Sequence, residues 1–179
     1  MGFLRKLFGK VGSELPAYVQ DHQIPARRLI HGFLALYTGD DGDPRHTLDE
    51  EANQEHLKEN WGCAGPDDLV ELMDTYEGEG EYNLAFDLVR AIKLARHGAG
   101  AGWISDTESW ERCFRCGERL KEGYQRWEDV YADCQKGREQ WWRESQERPI
   151  PPDQIQHYAD RFVEAKKLIF SQMPLNQRG

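Results

Sequence analysis

Apolar residues recur every three or four positions along most of this chain and alternate nowhere, so the pattern predicts helices throughout and no strand. Pro25 opens a helix over Ala26–Tyr37, with Leu29, Ile30, Phe33, Leu34 and Tyr37 as its apolar stripe. Thr47 is the expected N-cap of the next helix, Leu48–Asn60, with Glu50 completing a capping box. That helix ends at Trp61-Gly62. Pro66 starts another, with Asp67 and Asp68 at its N-terminal dipole and Leu69, Val70, Leu72 and Met73 on its inner side. Glu77–Glu81 (EGEGE) breaks it. Ser105 caps a later helix with Glu108 in the capping-box position, and further helices follow over Trp127–Glu144 and, past the Pro149–Pro152 break, Gln154–Gln172.

The stretch Glu81–Ile104 stands apart. Leu84, Leu88, Ala91, Ile92 and Ala95 form one face of a helix, and Ala85 and Val89 widen it. Arg90, Lys93 and His97 fall together as a polar ridge, Asp87 sits at the border of ridge and core, and Gly98, Gly100 and Gly102 close the element. A helix this apolar belongs at the centre. The expected fold is therefore all-α, a single compact domain of about seven or eight helices around a central apolar helix at about 82–97.

Two segments are expected: a short basic amphipathic N-terminal helix with its linker (1–23), and the helical domain (24–179). In Met1–Gly12, Phe3, Leu4, Leu7, Phe8 and Val11 share one side while Arg5, Lys6 and Lys10 face away. Docking onto the body of the protein is the favoured use of this segment, and membrane contact by residues 1–11 the lesser one. No apolar run is long enough to span a bilayer.

An ordered set of short motifs resembles one family, the bacterial domain of unknown function 1266. The set runs from Trp61-Gly62 through D-L-x-R-A-I-x-L-A-R at Asp87–Arg96 to G-W-I-S at Gly102–Ser105 with Trp110. W-E-D at Trp127–Asp129 follows, then G-R-x-x-W at Gly137, Arg138 and Trp141. The resemblance covers about residues 61–143. Arg126 stands where the family is expected to carry Ser, and Glu77–Tyr82 is a short form of the usual connection. The resemblance implies a helical bacterial domain and no agreed reaction.

Charge changes the picture more than composition does. Between Asp40 and Glu81 fifteen acids face only Arg45 and Lys58, a local net charge of −13 in a chain of −9, so the remainder carries +4. Such a block repels nucleic acid and steers a basic protein toward it, although the favoured reading is the plainer one, a solvated acidic face that only keeps the protein soluble. Asp40, Asp41, Asp43, Glu50, Glu51, Glu55, Asp67, Asp68 and Glu71 are the candidate partner-binding surface. The aspartates of Thr38–Pro44 miss the spacing of a calcium loop.

Asp87, Arg90 and Arg138 are the polar residues expected inside the core. Charges removed from water must be paired, so the favoured reading is a structural ion-pair network joining Asp87 to one or both arginines. An anion pocket built on Arg90, Lys93, His97 and Arg138 is the sharper alternative. Cys113 and Cys116 form a mid-helix C-x-x-C with no second pair, and with Cys63 and Cys134 they are expected to be reduced, buried thiols of a cytoplasmic protein. No metal, cofactor or catalytic residue is expected. The function expected is protein interaction of an immunity or antitoxin kind, neutralising a basic toxin or effector. Alternatives are an accessory factor of a chaperone or stress system, and an enzyme or small-anion sensor using Asp87, Arg90 and Arg138.

Overall fold

The structure, a computed structural model, describes residues 25–38, 43–78, 80–168 and Leu175. Among the described residues there are eight helices and no strand: α1 Pro25–Thr38, α2 Pro44–Thr47, α3 Glu50–Trp61, α4 Pro66–Glu77, α5 Leu84–Gly100, α6 Asp106–Gly123, α7 Trp127–Gln146 and α8 Pro152–Leu168. The all-α architecture is the one the periodicity implies. The N-terminal segment, Asp40 and Asp41, and the end of the expected 154–172 helix lie outside the described residues, although Leu175 is buried.

Local chemistry sets the element ends. The Ser105 side chain accepts from Glu108 N at 3.1 Å, as the capping box requires, and Gly62 ends α3 in the left-handed region at φ 71°. Thr47 does not cap α3. Asp43 instead caps the four-residue α2, accepting from Arg45 N at 3.0 Å with Pro44 at the first helical position, and Thr47 is drawn in as the end of that turn. Asp49 then takes over as the cap of α3, accepting from Ala52 N at 2.9 Å.

α5 is the axis. Of its 17 residues 14 are buried, which a helix with one solvated side does not allow. It packs against α1, α2, α3, α4, α6 and α7, while α8 lies against α1. The ridge expected to be polar is therefore inside the protein too: Arg90 and His97 are buried, and only Lys93 is half-buried. Asn83 fixes the start of α5. Its side chain accepts from Phe86 N at 3.0 Å and donates to Asp133 O on α7 at 2.9 Å. One turn on, Gly137 of α7 meets α5 so closely that a Cβ there would lie 2.5 Å from Phe86 Cβ. Any larger residue pushes the two helices apart.

Candidate functional site

Two buried arginines, Arg90 toward the N-terminal end of α5 and Arg96 toward its C-terminal end, hold the densest polar chemistry among the described residues. Near the N-terminal end, the Asp87 carboxylate turns back onto the loop that precedes its own helix. Its Oδ2 accepts from Glu81 N at 3.0 Å and from Tyr82 N at 2.8 Å. Gly80 makes this approach feasible: it sits at φ 74°, and a Cβ on it would come within 2.6 Å of Asp87 Oδ2. Burial pushes the Asp87 carboxyl above its usual range, against the pull of the two backbone N–H groups and of Arg90.

Arg90 is held mainly by rings. Its guanidinium carbon lies 4.1 Å from the centre of Tyr76, 4.9 Å from Phe86, 5.3 Å from Trp61 and 5.7 Å from Tyr82. Such a cage stabilises a cation by the negative faces of the rings. The carboxylates stand further off, with Arg90 Nη1 at 3.8 Å from Asp87 Oδ1 and 3.6 Å from Glu81 Oε2. Asp87 and Arg90 are thus neighbours, as expected.

Arg138 departs from the expectation. No carboxylate meets it among the described residues. Its Nη2 donates to Tyr37 O at 3.3 Å, and its guanidinium lies 3.9 Å from the Tyr158 ring and 5.3 Å from that of Tyr37. Tyrosine faces from α1 and α8 replace the expected carboxylate, so Asp87, Arg90 and Arg138 do not form one ion-paired cluster. Nη1 of Arg90, Nη1 of Arg138 and Oδ1 of Asp87 are all buried without a hydrogen-bond partner.

The strongest buried pair was not singled out from the sequence. Arg96, fully covered by protein, donates through Nε to Asp43 Oδ2 at 2.9 Å and through Nη1 to Asp106 Oδ1 at 3.2 Å and Ser109 Oγ at 3.1 Å. The Trp110 ring lies 3.8 Å from its guanidinium carbon. Asp43, expected on the acidic surface, is fully buried and serves here as the counter-ion of Arg96. Its burial has a plain cause: capping α2 points its carboxylate inward, 53 residues upstream of its partner.

A second polar knot joins α3 to the end of α5. Asn53 Nδ2 donates to the carbonyls of Pro44, Leu48 and Asp49, at 3.3, 3.2 and 2.9 Å. That fixes its Oδ1 as the acceptor for His97 Nδ1 at 2.9 Å, so the proton of neutral His97 sits on Nδ1. The His97 ring stacks on His56 at 4.2 Å, and Trp61 Nε1 donates to His56 Nε2 at 3.3 Å. Burial, then the His56 and Lys93 charges, push the His97 pKa down to about 2. This imidazole stays neutral at any physiological pH.

The thiols are closed off. Cys63, Cys113, Cys116 and Cys134 are all free and buried. Burial raises Cys116 to about 12, Cys63 and Cys134 to about 11, and Cys113 well above its ordinary value. Among the described residues no three His, Cys, Asp or Glu side chains gather as a metal cluster. No described helix is long and apolar enough to cross a membrane.

The acidic block divides by position. On α4, Asp74 and Glu77 are taken up by α6: Arg112 Nη1 meets Asp74 Oδ1 at 2.8 Å and Glu77 Oε1 at 2.7 Å, and Arg115 reaches Glu77 Oε2 at 2.9 Å. Glu50, Glu51, Glu55, Asp67, Asp68 and Glu71 are exposed, and none meets a cation among the described residues. Asp68 instead accepts from Ala64 N at 2.7 Å, and Glu50 from Gln54. Two open clefts flank α4. One, of about 570 Å³, is lined by Asp67, Val70, Glu71, Asp74 and Thr75. The other, of about 300 Å³, is lined by Trp61, Gly62, Cys63, Asp68, Glu71, Leu72 and Thr75.

The motifs that carried the resemblance serve the framework. Trp61 walls the Arg90 cage, Asp87 ties the loop, Arg96 and Trp110 hold α2, and Gly137 seats α7. No curated protein and no solved structure matches the chain significantly. A family model does match, over residues 50–172, which extends the resemblance at both ends: the chain belongs to the family described as Protein of unknown function (DUF1266).

Proposed function

We propose that this protein is an interaction domain of the immunity or antitoxin kind, which neutralises a basic partner by covering it with the acidic surface of α3 and α4. The observation that carries this reading is the uneven neutralisation of the acidic block. Its α6-facing acids are tied to arginines, while Glu51, Glu55, Asp67 and Glu71 are exposed and meet no cation among the described residues. Unpaired like charges on neighbouring helices repel one another, and a basic partner relieves that repulsion on binding. The test is co-expression with the products of adjacent genes. The expected result is a complex that purifies at low salt, dissociates in high salt, and is lost on joint Glu55→Lys and Glu71→Lys substitution with the fold intact. A complex indifferent to both overturns the reading.

A second reading, a small-anion sensor, draws on the buried unpartnered Nη1 atoms of Arg90 and Arg138. Inorganic phosphate or sulfate that raises the melting temperature of the protein but not of its Arg138→Gln variant supports it. Equal effects on both exclude it.

A further inference from the structure

The buried charge of Arg138 meets no carboxylate among the described residues. Its Nη2 donates to Tyr37 O at 3.3 Å, and its Nη1 is buried with no acceptor. The Tyr158 ring stands where a counter-ion would, 3.9 Å from the guanidinium carbon. Such a contact offsets only part of the cost of taking a guanidinium out of water, and an oxygen accepting from Nη1 would offset more.

Tyr158 belongs to α8, whose attachment is thin. Among the described residues of α8 only Ala165 is buried, against 14 of 17 in α5. One stripe of α8 runs antiparallel along α7. Tyr158 lies on Arg138, Phe162 stacks on Tyr131 at 4.0 Å, and Lys166 Nζ meets Glu128 Oε1 at 2.7 Å. The α8 members stand at i, i+4 and i+8, so the seam is a row of single side-chain pairs. The last pair is largely in solvent and adds little. The flanks are secured, because Ile150 before α8 and Leu175 beyond it are buried. The helix can therefore lift from α7 without leaving the protein, and it exposes little apolar surface in doing so.

We propose that Arg138 is the binding group of a small-oxyanion site and that α8 is its cover, the anion taking the place of the Tyr158 ring as the helix lifts. The inference deepens the small-anion reading and rests on it. A free ion fits better than the acid of a peptide, because a strap anchored at both flanks opens only a narrow space beneath it. Ring and anion then compete for one guanidinium, and the closed cover weakens the apparent affinity in proportion to the time it stays shut. Loosening the seam should tighten binding. A tyrosine that helped to hold the anion would have the opposite effect.

The experiment is calorimetric titration of the full chain with inorganic phosphate at constant ionic strength. Tyr158→Leu is expected to bind about fivefold more tightly or better than the parent. Phe162→Ala loosens the same seam at a pair that does not include Arg138, and is expected to gain about threefold. Adding Arg138→Gln to either variant should abolish the binding. If either single variant binds no more tightly than a parent that does bind phosphate, the cover is overturned and the small-anion reading stands. No binding by the parent or by either variant ends both. A second measurement uses the unaltered protein: phosphate near saturation should speed amide exchange across residues 152–167 by about threefold or more, and not across α5 or α6. Unchanged or slower exchange across 152–167 refutes the cover.

Discussion

The two ends of α5 solve the same problem, a guanidinium inside a small protein, in opposite ways. At Arg96 the solution is a counter-ion at hydrogen-bonding distance, delivered by Asp43 from a remote turn and backed by Asp106 and Ser109. At Arg90 it is four aromatic rings, with the carboxylates of Asp87 and Glu81 held beyond direct hydrogen-bonding range. Asp87 meanwhile spends one oxygen on two backbone N–H groups. The difference lies in what each arginine leaves behind when it is removed. Without Arg96, a fully buried carboxylate keeps its cap on Arg45 N and His46 Nε2 at 3.9 Å but loses its charge partner at hydrogen-bonding distance. Without Arg90, Asp87 keeps its loop and the cage can close on an apolar chain.

The same substitution at both ends is the sharpest way to break this comparison. Arg96→Met is expected to destabilise by about 3–5 kcal/mol, the range for a buried pair deprived of one partner. Arg90→Met is expected to remain near 1 kcal/mol, since cation–π attraction is partly replaced by sulfur–aromatic contact. Urea unfolding of both variants checks this. Equal losses mean that the supply of carboxylate is not what separates the two ends.

Next in size is a pH effect at the Arg96 end. The folded pKa of His97, near 2, lies far below the unfolded value of about 6.5, so protons bind the unfolded chain preferentially below neutrality. Stability is fully present above about pH 7 and falls as pH drops from about 6.5 towards 2. The expected loss is about 2 kcal/mol between pH 7.5 and pH 5 from this group alone. The His56 pKa, lowered by burial and Lys93, adds in the same direction. Urea midpoints measured across this range for the parent and His97→Gln should differ in slope by about one proton, and parallel curves would discard the assignment.

Asp87→Asn comes third, at about 1–2 kcal/mol, because the amide oxygen still accepts from the loop while the charge is gone. Faster amide exchange confined to Glu81 and Tyr82 is its local signature. The smallest effect is expected on the acidic surface, where Glu55→Lys and Glu71→Lys together should change stability by no more than about 0.5 kcal/mol. A marked loss of melting temperature would mean that these acids serve the fold rather than a partner.

The sequence revealed much of the first end and little of the second. Helical periodicity located α5, and the pair Asp87 and Arg90 was legible because its members lie three residues apart, one turn on the same helix. Arg96 lies in the D-L-x-R-A-I-x-L-A-R motif, yet nothing local marks it as paired, since its counter-ion is 53 residues away in a loop whose composition reads as acidic surface. Periodicity reports which side of a helix is apolar; it says nothing about which remote carboxylate will fold against the other side. The same blindness explains Arg138, for which the answer was tyrosine rings from α1 and α8 rather than a carboxylate. Capping was readable at Ser105, where Ser and Glu recur at the right interval, and misread at Thr47, where Asp43 and Pro44 made a competing turn.

The four closed thiols give the protein a set of internal clocks. Cys63 marks the junction of α3 and α4, Cys113 and Cys116 the inward side of α6, and Cys134 that of α7. Each is shielded from reagents by packing and by a thiol held in its protonated, unreactive form. Alkylation of a given cysteine therefore times the opening of its own neighbourhood, without any engineered label. A protein that neutralises others by surface contact alone would be expected to bind with all four clocks stopped, whereas one that opens to admit a ligand along α5 would start those on α6 and α7 first.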